Sequence, residues 1–166
     1  MARDMTEQKR VEEQLMLLLR ASASLLASTP ETVVESIIRL AQEFVAADAY
    51  AVWRKSSPDL VWRIAWSEGL SAENERVMEH GGEGPDRTVA VEDVLAADYL
   101  RERAESYRKE GIRSLVAAPL RSAEGVNGTL VFYYRAPHHF SAAEITICTA
   151  LGNLGGGSPR NRPFVS

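Results

Sequence analysis

The chain has 166 residues, of which 45% are hydrophobic and 25% are charged, and its formal net charge is −4. This length suits one domain with an extension, and the acidic balance argues against a nucleic-acid surface, which normally carries a basic excess. No apolar run approaches the roughly 20 residues of a membrane-spanning helix, residues 1–15 are too charged for a secretory signal, and the single cysteine forms no internal disulfide. We therefore expect a cytoplasmic protein.

The first predicted element is a long helix over residues 6–28, which forms a connector segment, residues 1–28. Its apolar positions recur at spacings of four and three, as in the seam of a coiled coil. The same spacing also fits an ordinary amphipathic helix that packs on its own domain. The positions of the predicted dimer seam are Val11, Leu15, Leu18, Ser22 and Leu25.

The next predicted helix begins at Thr29 and Pro30, because threonine suits an N-cap and proline suits the first helical position. Its apolar residues fall on one stripe, so the helix is expected to pack against a core. They are Val34, Ile37, Ile38, Ala41, Phe44 and Val45.

Two strands are predicted over residues 49–55 and 60–67, because both segments are rich in β-forming residues and a turn separates them. The tight spacing predicts an antiparallel hairpin. Trp62, Ile64 and Trp66 are predicted to share one face of the second strand. The elements expected next are a short helix from Ser71, a glycine loop at 81–85, an edge strand at 88–91 and helices over 92–100 and 101–109.

The segment 111–135 is the most informative part of the chain. Residues 114–120 and 129–134 are both apolar on their two alternating faces. Strands of this kind must be covered on both faces, so they are predicted to lie in the middle of a sheet. The turn between them is predicted at Gly125, Asn127 and Gly128.

The last predicted helix starts at Ser141, with Glu144 three residues later as a capping box. Ile145, Cys148 and Leu151 follow at helical spacing, and the thiol of Cys148 is expected in the core. The pattern is expected to end before Gly155, because glycine and proline weaken helices. The main domain is therefore placed at residues 29–154, with a flexible tail over 155–166.

This order of elements resembles a GAF domain over residues 15–154, most specifically in the segment 111–120 and in Phe140 and Ser141. The resemblance implies an α+β fold with a central antiparallel sheet of about six strands. It further implies that the terminal helices pack on one face, that a helical lid covers a ligand pocket on the other, and that parallel homodimers form through the terminal helices.

Residues 3–15 resemble the connector that leaves a PAS domain in bacterial sensors. The matching pieces are Asp4-Met5-Thr6-Glu7, Lys9-Arg10 and Glu12-Glu13-Gln14-Leu15. The resemblance implies a longer signalling protein, a histidine kinase of a two-component system or a cyclic-di-GMP enzyme, with an upstream PAS domain and a downstream output domain. The chain itself carries no recognisable kinase or cyclase residues.

Catalysis and metal binding receive little support from the sequence. His80, His138 and His139 have no partner at a recognised metal spacing. Cys148 does not stand where relatives attach a bilin, and Ala143 stands where cyclic-nucleotide-binding relatives carry an aspartate. The cofactor is therefore unknown, with no bilin, haem or metal signature.

Aromatic side chains beside a sheet could stack on a planar ligand, although plain core packing explains them equally well. The leading interpretation is a non-enzymatic sensor of an unknown small molecule. The alternative is a ligand-free dimerisation and relay module whose pocket is filled by side chains; an enzyme is a third possibility without a recognisable nucleophile and base. The predicted ligand-binding residues are Trp53, Trp66, Tyr99, Tyr107, Arg113, Ser114 and Val116.

Overall fold

The computed structural model describes residues 30–56, 61–71, 85–122 and 125–157, and in addition positions 9, 10, 13, 15 and 17, where the backbone is helical. The described elements are three α-helices, one 3-10 helix and five strands. In chain order they are α1 (Pro30–Phe44), β1 (Ala49–Ser56), β2 (Val61–Glu68), β3 (Val89–Val91), the 3-10 helix (Asp98–Arg103), α2 (Ala104–Glu110), β4 (Ser114–Ser122), β5 (Gly125–Tyr134) and α3 (Ala142–Gly157).

The five strands form one antiparallel sheet in the order β2-β1-β5-β4-β3. The strands predicted from the segment 111–135 are β4 and β5, and their position inside the sheet confirms the prediction. The β1–β2 hairpin and the edge strand β3 are confirmed as well. The helix and glycine loop predicted between Ser71 and residue 85 lie outside the described residues.

Two apolar clusters cover the two faces of the sheet, as strands buried on both sides require. On the side that we name the helix face, α1 and α3 pack on alternate residues of the strands, with Val52, Val116 and Phe132 fully buried there. On the side that we name the lid face, the 3-10 helix and α2 contribute Leu100 and Tyr107 to the second cluster. This arrangement confirms the α+β fold class.

A β-bulge in the β1–β2 ladder decides which tryptophans share a face. Val52 pairs with Trp66 and the next residue, Trp53, pairs with Ile64, so Ala65 is the extra residue of the bulge. Because paired residues lie on the same face, Ile64 and Trp62 face the lid. Trp66 instead lies on the helix face, and the prediction that these three side chains share one face is wrong.

A second bulge corrects the predicted glycine turn. Leu120 pairs with Gly128 and Arg121 pairs with Val126, so Asn127 is the extra residue, inside β5. Gly128 is required there for space rather than for a turn. A Cβ atom on it would lie 2.7 Å from the carbonyl oxygen of Trp53.

Local hydrogen bonding explains where the predicted helix over 92–100 fails. The side-chain carboxylate of Asp93 accepts a hydrogen bond from the amide of Leu95 at 3.1 Å. The backbone carbonyl of Asp93 accepts a hydrogen bond from the amide of Ala96, also at 3.1 Å. These bonds form a turn that competes with a helix. The amide of Val94 donates to the carbonyl of Arg113 at 2.7 Å, and helical structure begins only at Asp98.

Helix α3 begins with the predicted capping box. The amide of Ser141 donates to Glu144 Oε1 at 2.8 Å, and the amide of Glu144 donates to Ser141 Oγ at 3.1 Å. The helix continues to Gly157, so the prediction that it ends before Gly155 is wrong. Glycine lowers helix stability by about 1 kcal/mol per residue, but it keeps its backbone hydrogen-bonding groups. Gly152 brings α3 close to β4, since a Cβ there would lie 2.6 Å from the carbonyl oxygen of Pro119.

Of the predicted dimer seam, only Leu15 lies among the described residues. Its side chain is half-buried and packs against the helix-face cluster, whereas Leu17 is 48% exposed. At this position the helix therefore contacts its own domain, and dimerisation stays a prediction. The other seam residues, Val11, Leu18, Ser22 and Leu25, lie outside the described part of the chain. No helix within the described part is both long and apolar enough to cross a bilayer.

Candidate functional site

Two aromatic side chains meet across the lid face of the sheet. Trp53 pairs with Thr129 and Tyr133 pairs with Ala49, so their positions along the strands differ by four residues, about 13 Å. Nevertheless the indole Nε1–H of Trp53 donates a hydrogen bond to the Tyr133 hydroxyl at 2.9 Å. The two rings must therefore lean toward each other across the pair Ala51 and Val131, which lies between them on β1 and β5.

The hydroxyl of Tyr133 keeps a proton that has no acceptor in the described part of the chain. Tyr133 is only 2% exposed, and its oxygen already accepts the Trp53 hydrogen bond. Burial raises the pKa of Tyr133, and the neighbouring Tyr107 raises it further, so the phenol stays protonated. One donor of the lid face is thus available to another group.

Thr129 presents a second hydroxyl on the same face of β5. It alternates with Val131 and Tyr133, so all three side chains point to the lid face. Thr129 is 4% exposed, and its Oγ1 has no hydrogen-bond partner among the residues that the structure describes. A buried hydroxyl without a partner costs about 1–3 kcal/mol, and such groups call for a physical explanation.

Helix α2 of the lid is anchored at its C-terminal end. Glu110 accepts hydrogen bonds from both the amide and the hydroxyl of Ser71, each at 2.7 Å. Arg135 donates from Nε to the Glu110 carbonyl at 3.1 Å and from its guanidinium to the Gly69 carbonyl at 2.9 Å. The Glu110 charge is thereby compensated, and α2 is held against the ends of β2 and β5.

Arg113 lies where the chain enters β4 from the lid. Its guanidinium is 3.2 Å from the carboxylate of Asp93, and this hydrogen bond lowers the pKa of Asp93. The Arg113 Nε–H is buried and has no partner within the described ranges. Arg113 thus fixes the start of the lid through Asp93, which also pairs its charge. Its Nε–H is the donor that remains without an acceptor in this part of the structure.

The structure brings together only some of the predicted ligand-binding residues. Trp53 and Tyr107 lie in the lid-face cluster, and Arg113 lies beside it. Val116 is fully buried in the helix-face cluster, on the other side of the sheet. Ser114 lies two residues before Val116 on β4 and therefore on the same face. Its hydroxyl donates a hydrogen bond to the carbonyl of Ala136 at 2.7 Å.

Two further predicted residues do not join this group. Trp66 lies on the helix face because of the bulge at Ala65, and the side chain of Tyr99 lies outside the described part. Sequence reasoning also missed Thr129 and Tyr133. A signal for them existed, since both are polar-tipped residues at alternate positions of a strand buried on both faces, but nothing in the sequence said which face carries the lid.

Structural roles account for His138 and for the cysteine. His138 stacks on Tyr134 with ring centroids 4.9 Å apart, and its Nε2 lies 2.9 Å from Glu144. Cys148 is buried, as predicted, and burial raises the pKa of its thiol to about 12. No group of three or more potential metal ligands occurs in the part that the structure describes; His80 lies outside it.

A protein-family model, described as "GAF domain", matches residues 29–157. No curated protein matches the chain. A solved domain assigned to a two-component sensor histidine kinase protein from Sinorhizobium meliloti 1021 is 25% identical, with a TM-score of 0.73, over 81% of this chain and 94% of that chain. The GAF domain of a protein assigned as a sensor histidine kinase from Pseudomonas syringae pv. tomato is 20% identical, with a TM-score of 0.67, over 99% and 96% of the two chains.

The fold is also similar to that of GAF3 from Slr1393 of Synechocystis sp. PCC6803, solved in its photoproduct state. It is 18% identical, with a TM-score of 0.68, over 82% of this chain and 97% of that chain. At this identity the likeness concerns the fold alone.

Proposed function

The chain belongs to the GAF domain family, and on that premise we propose that it is a non-enzymatic sensory module that binds a small molecule on the lid face. The observation that carries the proposal is the pair of hydroxyls on β5. Among the residues that the structure describes, the Tyr133 proton has no acceptor and Thr129 has no partner, although both side chains are almost fully buried. A ligand between the sheet and the lid would satisfy both groups and offset their desolvation.

The position of β5 supports a route for the signal. This central strand presents Thr129 and Tyr133 to the lid and Leu130 and Phe132 to the helices. A ligand that shifts β5 or the lid therefore alters the packing of α1 and α3. Such coupling between sites typically amounts to 1–3 kcal/mol. We propose that the helix over residues 6–28 passes this bias to an output domain within a homodimer, downstream of a PAS domain.

Native mass spectrometry of the purified chain and a thermal-shift screen test the binding step. A compound at 100 times its dissociation constant adds about 2.7 kcal/mol to the free energy of unfolding. A co-purified compound, or a shift that the Thr129→Val substitution reduces, supports the proposal. If a chemically diverse library including nucleotides and organic acids gives neither, the binding proposal fails.

A second candidate function is a ligand-free dimerisation and relay module. The observation that favours it is the hydrogen-bonded pair of Trp53 and Tyr133, whose rings already occupy space above Ala51. This module requires the predicted seam to form a dimer. Light scattering on the chain with and without residues 1–28 measures this directly: a dimer that becomes a monomer supports the seam, and a monomer in both cases removes it.

A further inference from the structure

We propose that the lid-face site takes a neutral, planar ligand that carries a hydrogen-bond acceptor, such as a carbonyl oxygen or a ring nitrogen, held by the hydroxyls of Thr129 and Tyr133. This inference rests on the proposed function, since it names the chemical class of the ligand for the same site.

The acceptor follows from the hydrogen bonds already made. The Tyr133 oxygen accepts the proton of Trp53 Nε1, so the group that Tyr133 still offers is its O–H. Thr129 Oγ1 has no partner in the described residues, and a hydroxyl donates as readily as it accepts. The Nε–H of Arg113, beside the lid, likewise has no acceptor among the described residues. The lid face therefore offers protons, and a ligand that satisfies them must supply acceptors.

We expect the ligand to be uncharged because of the groups that surround Tyr133. Arg103 lowers the pKa of this residue and Glu110 raises it, so their fields oppose each other at the hydroxyl. Glu110 accepts two hydrogen bonds from Ser71, and Arg113 is paired with Asp93. The described residues of the lid face offer an ionic ligand no unpaired counter-charge, so such a ligand would lose its hydration without compensation from them, which is costly in a buried site.

The planar shape follows from the aromatic residues. Trp53, Trp62 and Tyr107 are buried in the lid-face cluster, around the small side chains of Ala49 and Ala51. Flat apolar rings favour stacked or edge-on contact with another planar molecule.

Three related probes separate the classes: coumarin, which is neutral and has a carbonyl acceptor; coumarin-3-carboxylate, which adds an anion to the same rings; and naphthalene, which has no acceptor. The full chain labelled with ¹⁵N shows one indole N–H signal for each of its three tryptophans, assigned by Trp→Phe substitutions. Coumarin is expected to shift the signals of Trp53 and Trp62. Trp66, on the helix face, serves as the internal control and should shift less than Trp53 and Trp62.

Coumarin is expected to bind about fivefold more tightly than naphthalene, since one net hydrogen bond is worth about 1 kcal/mol and 1.4 kcal/mol is tenfold, and it is also expected to bind more tightly than the carboxylate. Thr129→Val should weaken coumarin by a similar factor and leave naphthalene unchanged. The matched control is Thr146→Val, because Thr146 is exposed on α3 and its hydroxyl donates to the Ala142 carbonyl.

Tighter binding of the carboxylate than of coumarin overturns the neutral class, yet leaves binding at the lid face intact. Equal binding of naphthalene and coumarin overturns the role of the hydroxyls, as does an unchanged coumarin affinity in Thr129→Val. If no probe shifts Trp53 or Trp62, the inference fails, and the library screen then decides separately whether the site binds any small molecule.

Discussion

The two faces of the sheet are both buried, but their buried hydroxyl groups differ in hydrogen bonding. On the helix face, the Tyr50 hydroxyl donates to the carbonyl of Val45 at 2.5 Å and accepts from the amide of Ala47 at 3.0 Å. On the lid face, Tyr133 retains a free proton and Thr129 has no partner within the described ranges. The Tyr50 hydroxyl of the helix face is thus fully hydrogen-bonded, as expected in a protein core. Among the described residues, the lid face instead has hydroxyls with unsatisfied hydrogen-bonding groups, which lower stability. This difference supports the proposal that the lid face binds a ligand.

The helix face should respond most strongly to loss of volume. Phe132 is fully buried among α1, α3 and the strands, so Phe132→Ala is expected to lower the free energy of unfolding by about 3–5 kcal/mol. Urea denaturation measures this change. Val126→Ala is the control, because Val126 is 38% exposed on the same strand, and its effect should stay within about 0.5 kcal/mol. Similar effects at the two positions would contradict the assignment of the helix face as the main core.

The aromatic pair of the lid face should show measurable coupling. Tyr133→Phe removes the acceptor of the Trp53 N–H and is expected to cost about 1–3 kcal/mol. A double-mutant cycle with Trp53→Phe isolates the interaction, and a coupling energy near 1 kcal/mol is expected. Additive effects of the two substitutions would mean that the rings do not meet over Ala51, which would remove the support for a filled pocket.

The capping box of α3 should give a smaller and pH-dependent effect. Partial desolvation acts to raise the pKa of Glu144, but the hydrogen bonds from the Ser141 amide and from His138 outweigh it, and the pKa is lowered from its ordinary 4.5. A lowered pKa stabilises the fold above the ordinary value, and the contribution disappears as the pH falls through the folded-state pKa.

Glu144→Ala should therefore cost about 0.5–2 kcal/mol at pH 7, as lost caps do, and less at pH 3. Denaturation curves at both pH values test this expectation. A cost that is independent of pH would show that the carboxylate charge plays no part, and that the helix start depends on packing alone.

Features with a local cause could be predicted from the sequence. The Ser141–Glu144 box, the start of α1 at Pro30 and the two central strands of segment 111–135 each depend on neighbouring residues or on strand periodicity. The fold class followed because these elements occur in a familiar order.

Features that depend on the pairing between strands could not be predicted. The extra residue Ala65 in β2 moves Trp66 to the opposite face, and no property of β2 alone reveals it. The choice between Val116 and Leu115 as lid-facing residues likewise depends on which side the lid covers. The turn at Asp93 replaced a predicted helix because its side chain competes for a backbone amide.

If the lid face keeps hydroxyls available at a cost in stability, the free energy of unfolding of Thr129→Val should reveal that cost. Valine has nearly the same shape and the same strand preference as threonine, but it removes a buried hydroxyl that has no partner among the described residues. The variant is expected to be more stable than the wild type by about 1 kcal/mol in urea denaturation. A variant that is less stable by a similar amount would mean that the hydroxyl is already satisfied without a ligand, and that the lid face carries no such cost.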